Sequence, residues 1–273
     1  MDGLNAFLRD HAMGDLVPWS CQVDGARMFG RTLAEAEETI LEQGLLPARY
    51  QRNRQTISTA GQLKLFRSSV AVIGCGGLGG YVIEELARLG VGKIVAIDPD
   101  IFEEHNLNRQ LLSTPATLGR PKVTAAAERV GLINPAVNLV PMQVAFGAAN
   151  GTDLLVDVTV VVDALDSIPV RLELAETCAT LGIPLVHGAI GGWYGHVATQ
   201  FPSEQSIQKI YGAWKEGKGV EQRLGNPSFT PAVVASLQVA EVAKIILGEG
   251  EPLRRRKLAI DLQSMEFHDI SLS

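Results

Sequence analysis

Residues 69–110, SVAVIGCGGLGGYVIEELARLGVGKIVAIDPDIFEEHNLNRQ, constrain the fold more than any other stretch. A short apolar run, Val70 to Ile73, meets Gly74-Cys75-Gly76-Gly77-Leu78-Gly79, and an apolar-periodic segment through Ile83, Leu86 and Leu89 follows. That order is strand, tight turn, helix. Glycine is required in such a turn because the backbone takes angles closed to other residues, and because a side chain would hold phosphate oxygens off the main chain. The unpaired N–H groups that open the helix then face an anion. A second strand, Lys93 to Ile97, ends in Asp98, whose carboxylate can accept hydrogen bonds from a ribose. Gly74, Gly76, Gly77, Gly79 and Asp98 therefore predict a nucleotide site, without choosing between a dinucleotide and ATP.

The rest of the chain fits an α/β fold: a Rossmann-like, mostly parallel sheet with helices on both faces, continued by C-terminal strands. With 273 residues and 46% hydrophobic content, one large domain fits better than two small ones. Net charge is −6, and the one dense basic cluster, Arg254 to Lys257, reads as a solvated turn, so no DNA partner is expected. There is no signal-peptide pattern, and no apolar run approaches the length needed to cross a bilayer, which points to a cytoplasmic protein without a membrane partner. Cys21, Cys75 and Cys178 are odd in number and far apart, which disfavours a disulfide framework.

Residues 1–47 read as a helical extension, with a capping box at Thr32 and Glu35 before a helix that Gly44 closes. Residues 48–273 form the main domain. Arg49, Arg52, Arg54, Lys64 and Arg67 make its first segment basic. Thr117 to Leu132 reads as a helix beginning near Gly119 and Pro121. Lys122 sits near its N-terminus, where a cation is unfavourable for the helix, so a phosphate-holding role is the better reading. Val137–Val144 and Val158–Val162 are further strands, the second an apolar run typical of a strand buried on both faces.

Asp163 and Asp166 follow that run. Asp98 and Asp166 can border one crevice at the carboxyl ends of parallel strands, and two carboxylates beside a polyphosphate imply magnesium. For Asp163 a structural role, as a helix cap or a partner for Arg171, stands at least level with a catalytic one. Further on, a helix from Arg171 to Leu181, a strand from Pro184 to Ala189 and a glycine-rich passage from Gly188 to Gly195 are expected. His187 and His196 have no cysteine or acidic partners at metal spacing and read as structural. Residues 201–230 read as a long functional loop, Pro231–Leu247 as a helix, and Arg256–Leu262 with Met265–Ile270 as a hairpin.

Several ordered features carry a family resemblance. Beyond the glycine loop they are Asp98-Pro-Asp100, Asn106-Leu-Asn-Arg109-Gln110, Gly119-Arg-Pro-Lys122 and Asp163-Ala-Leu-Asp166-Ser167. Together they resemble the ubiquitin-activating-enzyme-like adenylyltransferases, the family of MoeB, ThiF and HesA. Upstream, Arg49-Tyr50 and Arg54-Gln55 are similar to that family's Arg-Tyr-x-Arg-Gln signature, with two extra residues between its halves, and His105 replaces its usual serine.

The resemblance implies ATP and magnesium as cofactors, with Asp166 on the metal, Asp98 on the ribose, and Asp100, Asn106, Arg109 and Lys122 around the nucleotide. It implies a homodimer in which Arg54 acts in trans, and catalysis by Arg54, Arg109, Lys122 and Asp166. It also implies a ubiquitin-like sulfur-carrier partner ending in Gly-Gly, and places a substrate-covering crossover loop at about 201–230. That span has no cysteine and the chain has no Cys-x-x-Cys pair, so neither a loop thioester nor zinc is expected. Two rivals stand beside this reading. Adenylation of another carboxylate, on a peptide or in tRNA modification, would keep every nucleotide residue, whereas an NAD-dependent oxidoreductase would leave Arg109, Lys122 and Asp166 unused.

Overall fold

The computed structural model describes residues 3–212 and 224–272. Residues ahead of the main sheet carry α1 (Gly3–Asp10), α2 (Trp19–Met28) and α3 (Leu33–Glu42), and a short parallel pairing of β1 (Leu16–Val17) with β2 (Leu46–Pro47). The capping box forms: the Thr32 hydroxyl accepts from the Glu35 N–H at 3.1 Å, and the Glu35 carboxylate accepts from the Thr32 N–H at 2.7 Å. Leu4, Leu8, Val17 and Ile40 close a small core of their own.

The joint between this extension and the main domain is polar. Buried Glu37 accepts from the Tyr50 hydroxyl (2.7 Å) and from Gln22 (3.0 Å), Asn134 donates to the Tyr50 hydroxyl (2.8 Å), and Arg49 donates to Gln22 (2.7 Å). Burial and the Glu37 carboxylate push the Tyr50 phenol well above its ordinary range, so it stays a donor. Arg49 and Tyr50 thus dock the extension.

The main domain continues with α4 (Thr59–Phe66), β3 (Ser69–Ile73), α5 (Gly77–Leu89), β4 (Lys93–Ile97), α6 (Lys122–Ile133), β5 (Asn138–Met142), α7 (Gly151–Leu154), β6 (Val160–Asp163) and α8 (Ile168–Leu181). It ends with β7 (Leu185–Gly191), β8 (Tyr194–Gln200), α9 (Ser206–Tyr211), α10 (Phe229–Leu247), β9 (Arg256–Asp261) and β10 (Glu266–Ser271). One sheet runs in the order β10-β9-β8-β7-β6-β3-β4-β5. β5, β4, β3, β6 and β7 are mutually parallel, while β7 to β10 form an antiparallel meander.

Every position of β3 and β6 is buried, as expected of strands covered on both faces. On one face Val70, Val72, Ile94 and Ala96 meet Val82, Leu86, Val123, Val234 and Val242; on the other Ala71, Ile73, Val95 and Val161 meet Leu174, Ala175, Cys178 and Ile207. Pro141 is tolerated because β5 is the parallel edge, where no further strand needs its missing N–H.

Several boundaries differ from the sequence reading. α6 starts at Lys122 because residues 117–121 turn first: Gly119 takes φ +77, Phe102 and Ile101 bridge to Leu118 and Pro121, and Pro121 is the N-cap. The span 201–230 is not all loop, since α9 lies inside it and α10 begins at Phe229. Residues 213–223 of that span lie outside the described residues. The glycine passage after His187 is the β7–β8 hairpin. α10 corrects the membrane expectation: at 19 residues it is long and apolar enough to cross a bilayer. Its place is nevertheless the core, packed on α5, β7 and β8 with Val234, Ala235 and Val242 fully buried.

Candidate functional site

The chain leaves β3 for β4 and β5 on one side of the sheet, then returns to β6 and β7 on the other. The carboxyl ends of β3, β4 and β6 splay at that reversal, the place where open parallel sheets bind ligands. A cleft of about 350 Å³ opens there, lined by Gly74, Gly76, Gly77, Asp98, Asp100, Arg109, Lys122 and Asp166 among others. The structure therefore brings together most of the residues singled out from sequence.

The glycines serve different purposes. Gly74 takes φ +95, and a Cβ there would lie 2.7 Å from the Ala164 carbonyl oxygen; a Cβ on Gly79 would lie 1.8 Å from the carbonyl oxygen of Gly74. These two are demanded by the chain itself. Gly76 and Gly77 would meet nothing closer than 3.5 Å, so what they keep clear is the cleft. α5 starts at Gly77 with no side-chain cap, which leaves its first N–H groups for an anion.

Asp98 is a strut as well as a ligand candidate: one carboxylate oxygen accepts from the Cys75 N–H at 2.6 Å and the other from the Asp100 N–H at 2.8 Å. It thereby ties the glycine loop to the end of β4. Burial raises its carboxyl above the usual range, and Lys122 opposes the rise. Lys122 is itself buried, 2.9 Å from Asp100 and 3.9 Å from Asp98, with its side chain at the cleft wall. Arg109 donates to the His105 carbonyl and to Asn108, both at 2.9 Å, and burial lowers its guanidinium against the pull of Asp166. Asp166 is exposed to the cleft and has no hydrogen-bond or ion-pair partner among the described residues.

Two residues sit elsewhere. Asn106 is buried in a tight turn, where its side chain accepts from the Glu103 N–H (2.9 Å) and its carbonyl from the Arg109 and Gln110 N–H groups (3.1 and 2.9 Å). It shapes the turn that presents Arg109 and does not line the cleft. Arg54 lies outside the cleft of its own chain, ion-paired with Asp15 of the extension.

Sequence reasoning passed over Gln110 and Asn226. Both line the cleft, and their side-chain oxygens are buried without a hydrogen-bond partner. Buried acceptors of that kind call for a donor from a ligand or water. Gln110 was legible beside Arg109; Asn226, brought over the cleft with its carbonyl accepting from Asn108 at 3.1 Å, had no local signal. A nucleotide's groups fit this wall: cations and free N–H donors for phosphates, and an apolar side of Phe146, Leu165 and Val170 for a base.

Behind the cleft, Asp163 bonds to His187 at 2.7 Å, and His187 lies 3.1 Å from His196. Arg171 stands 4.0 Å from Asp163, in line with the structural reading of that pair. Neither histidine lines the cleft. Burial holds His187 below the ordinary imidazole range despite Asp163, and burial with His187, Lys257 and Arg171 nearby holds His196 well below it.

The native state thus binds fewer protons than the unfolded chain once the pH drops below about 6.5. Stability is full above that pH and falls toward the folded values, by up to about 1.4 kcal/mol per pH unit for each histidine. Urea unfolding from pH 7.5 to 5.5 checks this: the loss is expected to be clearly shallower in a His187→Gln/His196→Gln variant.

Comparison with known proteins shows the family and the fold. The SAMP-activating enzyme E1 of Haloferax volcanii is 35% identical over 226 residues, covering 81% of this chain and 84% of that protein. The sulfur carrier protein adenylyltransferase of Thermus thermophilus is 33% identical over 233 residues, covering 79% and 83%. Among solved structures, E. coli MccB with ATP shares the fold, with a TM-score of 0.71 at 20% identity over 94% of this chain and 80% of that one. The ThiF family model matches residues 50–273, and the chain belongs to that family of adenylyltransferase relatives.

Proposed function

We propose that this protein uses ATP and magnesium to adenylate the C-terminal Gly-Gly carboxylate of a ubiquitin-like sulfur-carrier protein. Its place is then in sulfur transfer toward a molybdenum or tungsten pterin cofactor or thiamine. The observation that carries the reading is the convergence of Arg109, Lys122 and Asp166 on a glycine-loop cleft at the strand reversal. A hydride-transfer site has no use for that set. The names of the relatives support the carrier as acyl partner.

A C-terminal carboxylate, with an ordinary pKa of about 3.3 to 3.7, is ionised at neutral pH and needs no general base. One of its oxygens bonds to the α-phosphorus as the bond from that phosphorus to the bridging oxygen breaks, and the electron pair leaves with pyrophosphate. No proton moves, which suits a cleft that no histidine lines. The task is alignment of two anions and dispersal of charge. Arg109, Lys122 and the first N–H groups of α5 face the phosphates, Asp98 the ribose, and Asp166 the cation. Magnesium supplies charge neutralisation between phosphates and carboxylate, and one protein carboxylate with phosphates and water is an ordinary set for it.

In this reading the protein works as a homodimer. Arg54 serves the neighbouring cleft, exchanging Asp15 for a phosphate.

The test is carrier-dependent ATP–pyrophosphate exchange, with thermal unfolding as its companion. Magnesium-ATP at a hundred times its Kd adds about 2.7 kcal/mol, a rise of a few degrees at this size. Asp166→Asn is expected to lose the magnesium-dependent part of that rise and to slow exchange at least a hundredfold. Exchange with a peptide but not with a Gly-Gly carrier moves the assignment to another carboxylate. Stabilisation by NAD alone overturns adenylation.

A further inference from the structure

Asp163, His187, Tyr211, Arg171 and the backbone of Leu165 close a ring at the cleft wall, which Leu165 and Arg171 themselves line. Asp163, fully buried at the end of β6, accepts from the Leu165 N–H at 3.0 Å with one oxygen and from His187 Nδ1 at 2.7 Å with the other. A neutral His187 that carries its proton on Nδ1 presents a bare Nε2. The Tyr211 hydroxyl and His196 Nε2 each stand 3.1 Å from that nitrogen, and either can donate to it. The Tyr211 oxygen in turn accepts from Arg171 Nη1 at 2.7 Å, and His196 Nε2 lies 3.3 Å from the same oxygen. Arg171 Nη2 closes the ring on the Leu165 carbonyl.

The ring grips both peptide planes that flank Leu165, and the second of these leads into Asp166. A rigid peptide unit transmits such a grip to the next Cα. Stability alone is a poor reason for this arrangement, since a buried charge pair is often no better than apolar packing. Water could satisfy Leu165 at the edge of an open cleft, yet a buried guanidinium and carboxylate do so instead.

The grip also reaches α9. Tyr211 is its last residue, and the helix is seated by fully buried Ile207, whose N–H donates to Gln200 at 3.0 Å.

We propose that Arg171 and Tyr211 are positioning residues for Asp166: the ring they complete fixes the Leu165–Asp166 peptide and makes the placement of that carboxylate depend on the seating of α9. The consequence for metal-nucleotide binding rests on the adenylation reading; the consequence for the backbone does not.

Amide hydrogen exchange on the unliganded full chain tests the ring. In Tyr211→Phe, which keeps the ring volume but loses the hydroxyl and every bond it makes, exchange across Leu165 to Ser167 is expected to rise about tenfold, while β3 and β4 keep wild-type protection. Arg171→Lys retains the charge beside Asp163 but cannot span Tyr211 and Leu165, and is expected to behave alike.

In Tyr211→Phe the affinity for magnesium-ATP should fall about tenfold while that for ATP without magnesium is unchanged. Unaltered exchange at Leu165 to Ser167, or protection lost evenly over the whole sheet, overturns the proposal. Wild-type protein that binds no magnesium-ATP overturns the adenylation reading, and the exchange result still decides the ring.

Discussion

Gly79→Ala is expected to cost the protein its cleft and much of its stability. The added methyl carbon would stand 1.8 Å from the Gly74 carbonyl oxygen, about half a normal contact, and its opponent is backbone. Gly74 cannot retreat, because its own α-carbon already faces the Ala164 carbonyl so closely that a Cβ there would lie at 2.7 Å. Ordinary overpacking costs about 1–3 kcal/mol because side chains shift rotamer. A backbone clash between the first turn of α5 and the turn that leaves β3 has no such outlet and belongs to the rare class above about 4 kcal/mol. Gly76→Ala is the control. Its methyl would meet only the Gln110 side chain, at 3.5 Å, so stability should stay within about 0.5 kcal/mol while ATP affinity falls at least tenfold. Urea unfolding and titration calorimetry on the two variants separate the roles, and a wild-type midpoint for Gly79→Ala would show that the loop is not packed as described.

Lys122→Met should damage both stability and nucleotide binding. The lysine is buried between Asp98 and Asp100, and removing it leaves the buried Asp98 carboxylate without its nearest cation. Breaking a buried pair costs about 3–5 kcal/mol. The lower end applies, since Asp98 keeps two backbone N–H donors and the Asp100 side chain is mostly exposed. Asp98 is then expected to titrate higher still, because burial already raises its carboxyl and Lys122 is what opposes the rise. Binding of ATP should weaken at least a hundredfold through loss of a phosphate-facing cation. Equal ATP affinity in the variant would mean that the lysine serves Asp98 alone. Carboxyl titration by NMR on the same protein reads the Asp98 shift.

The glycine turn, Asp98, Lys122 and Asp166 were legible because each stands beside the end of a strand or the start of a helix, where local pattern fixes position, and Arg109 through the Asn106-Leu-Asn-Arg109-Gln110 motif. Lys122 was the clearest: a cation at a helix N-terminus works against the dipole and so points away from the helix. The dual use of Asp98 was not legible, because the Cys75 N–H that it binds comes from a neighbouring strand end. The Arg54–Asp15 pair was hidden for a similar reason, being a contact between the extension and the main domain. His187 and His196 carried no usable signal either. They become neighbours only when the β7–β8 hairpin pairs His187 with Ala198 and Ala189 with His196, which sets the two imidazoles diagonally on one face.

Sequence alone determined the order of the strands and helices around the cleft, the parallel core and the cleft's principal charges, since hydrophobic periodicity and turn chemistry act over a few residues. Tertiary structure decided which glycines are sterically obligatory, which acceptors are left without donors, how Asp163 is shared between a histidine and a peptide N–H, and that an apolar helix of 19 residues lies against the sheet. Those outcomes depend on which chain segments meet across the strand reversal. Hydrogen bonds and close contacts act over about 3–4 Å, a range that a linear pattern of residue types cannot specify.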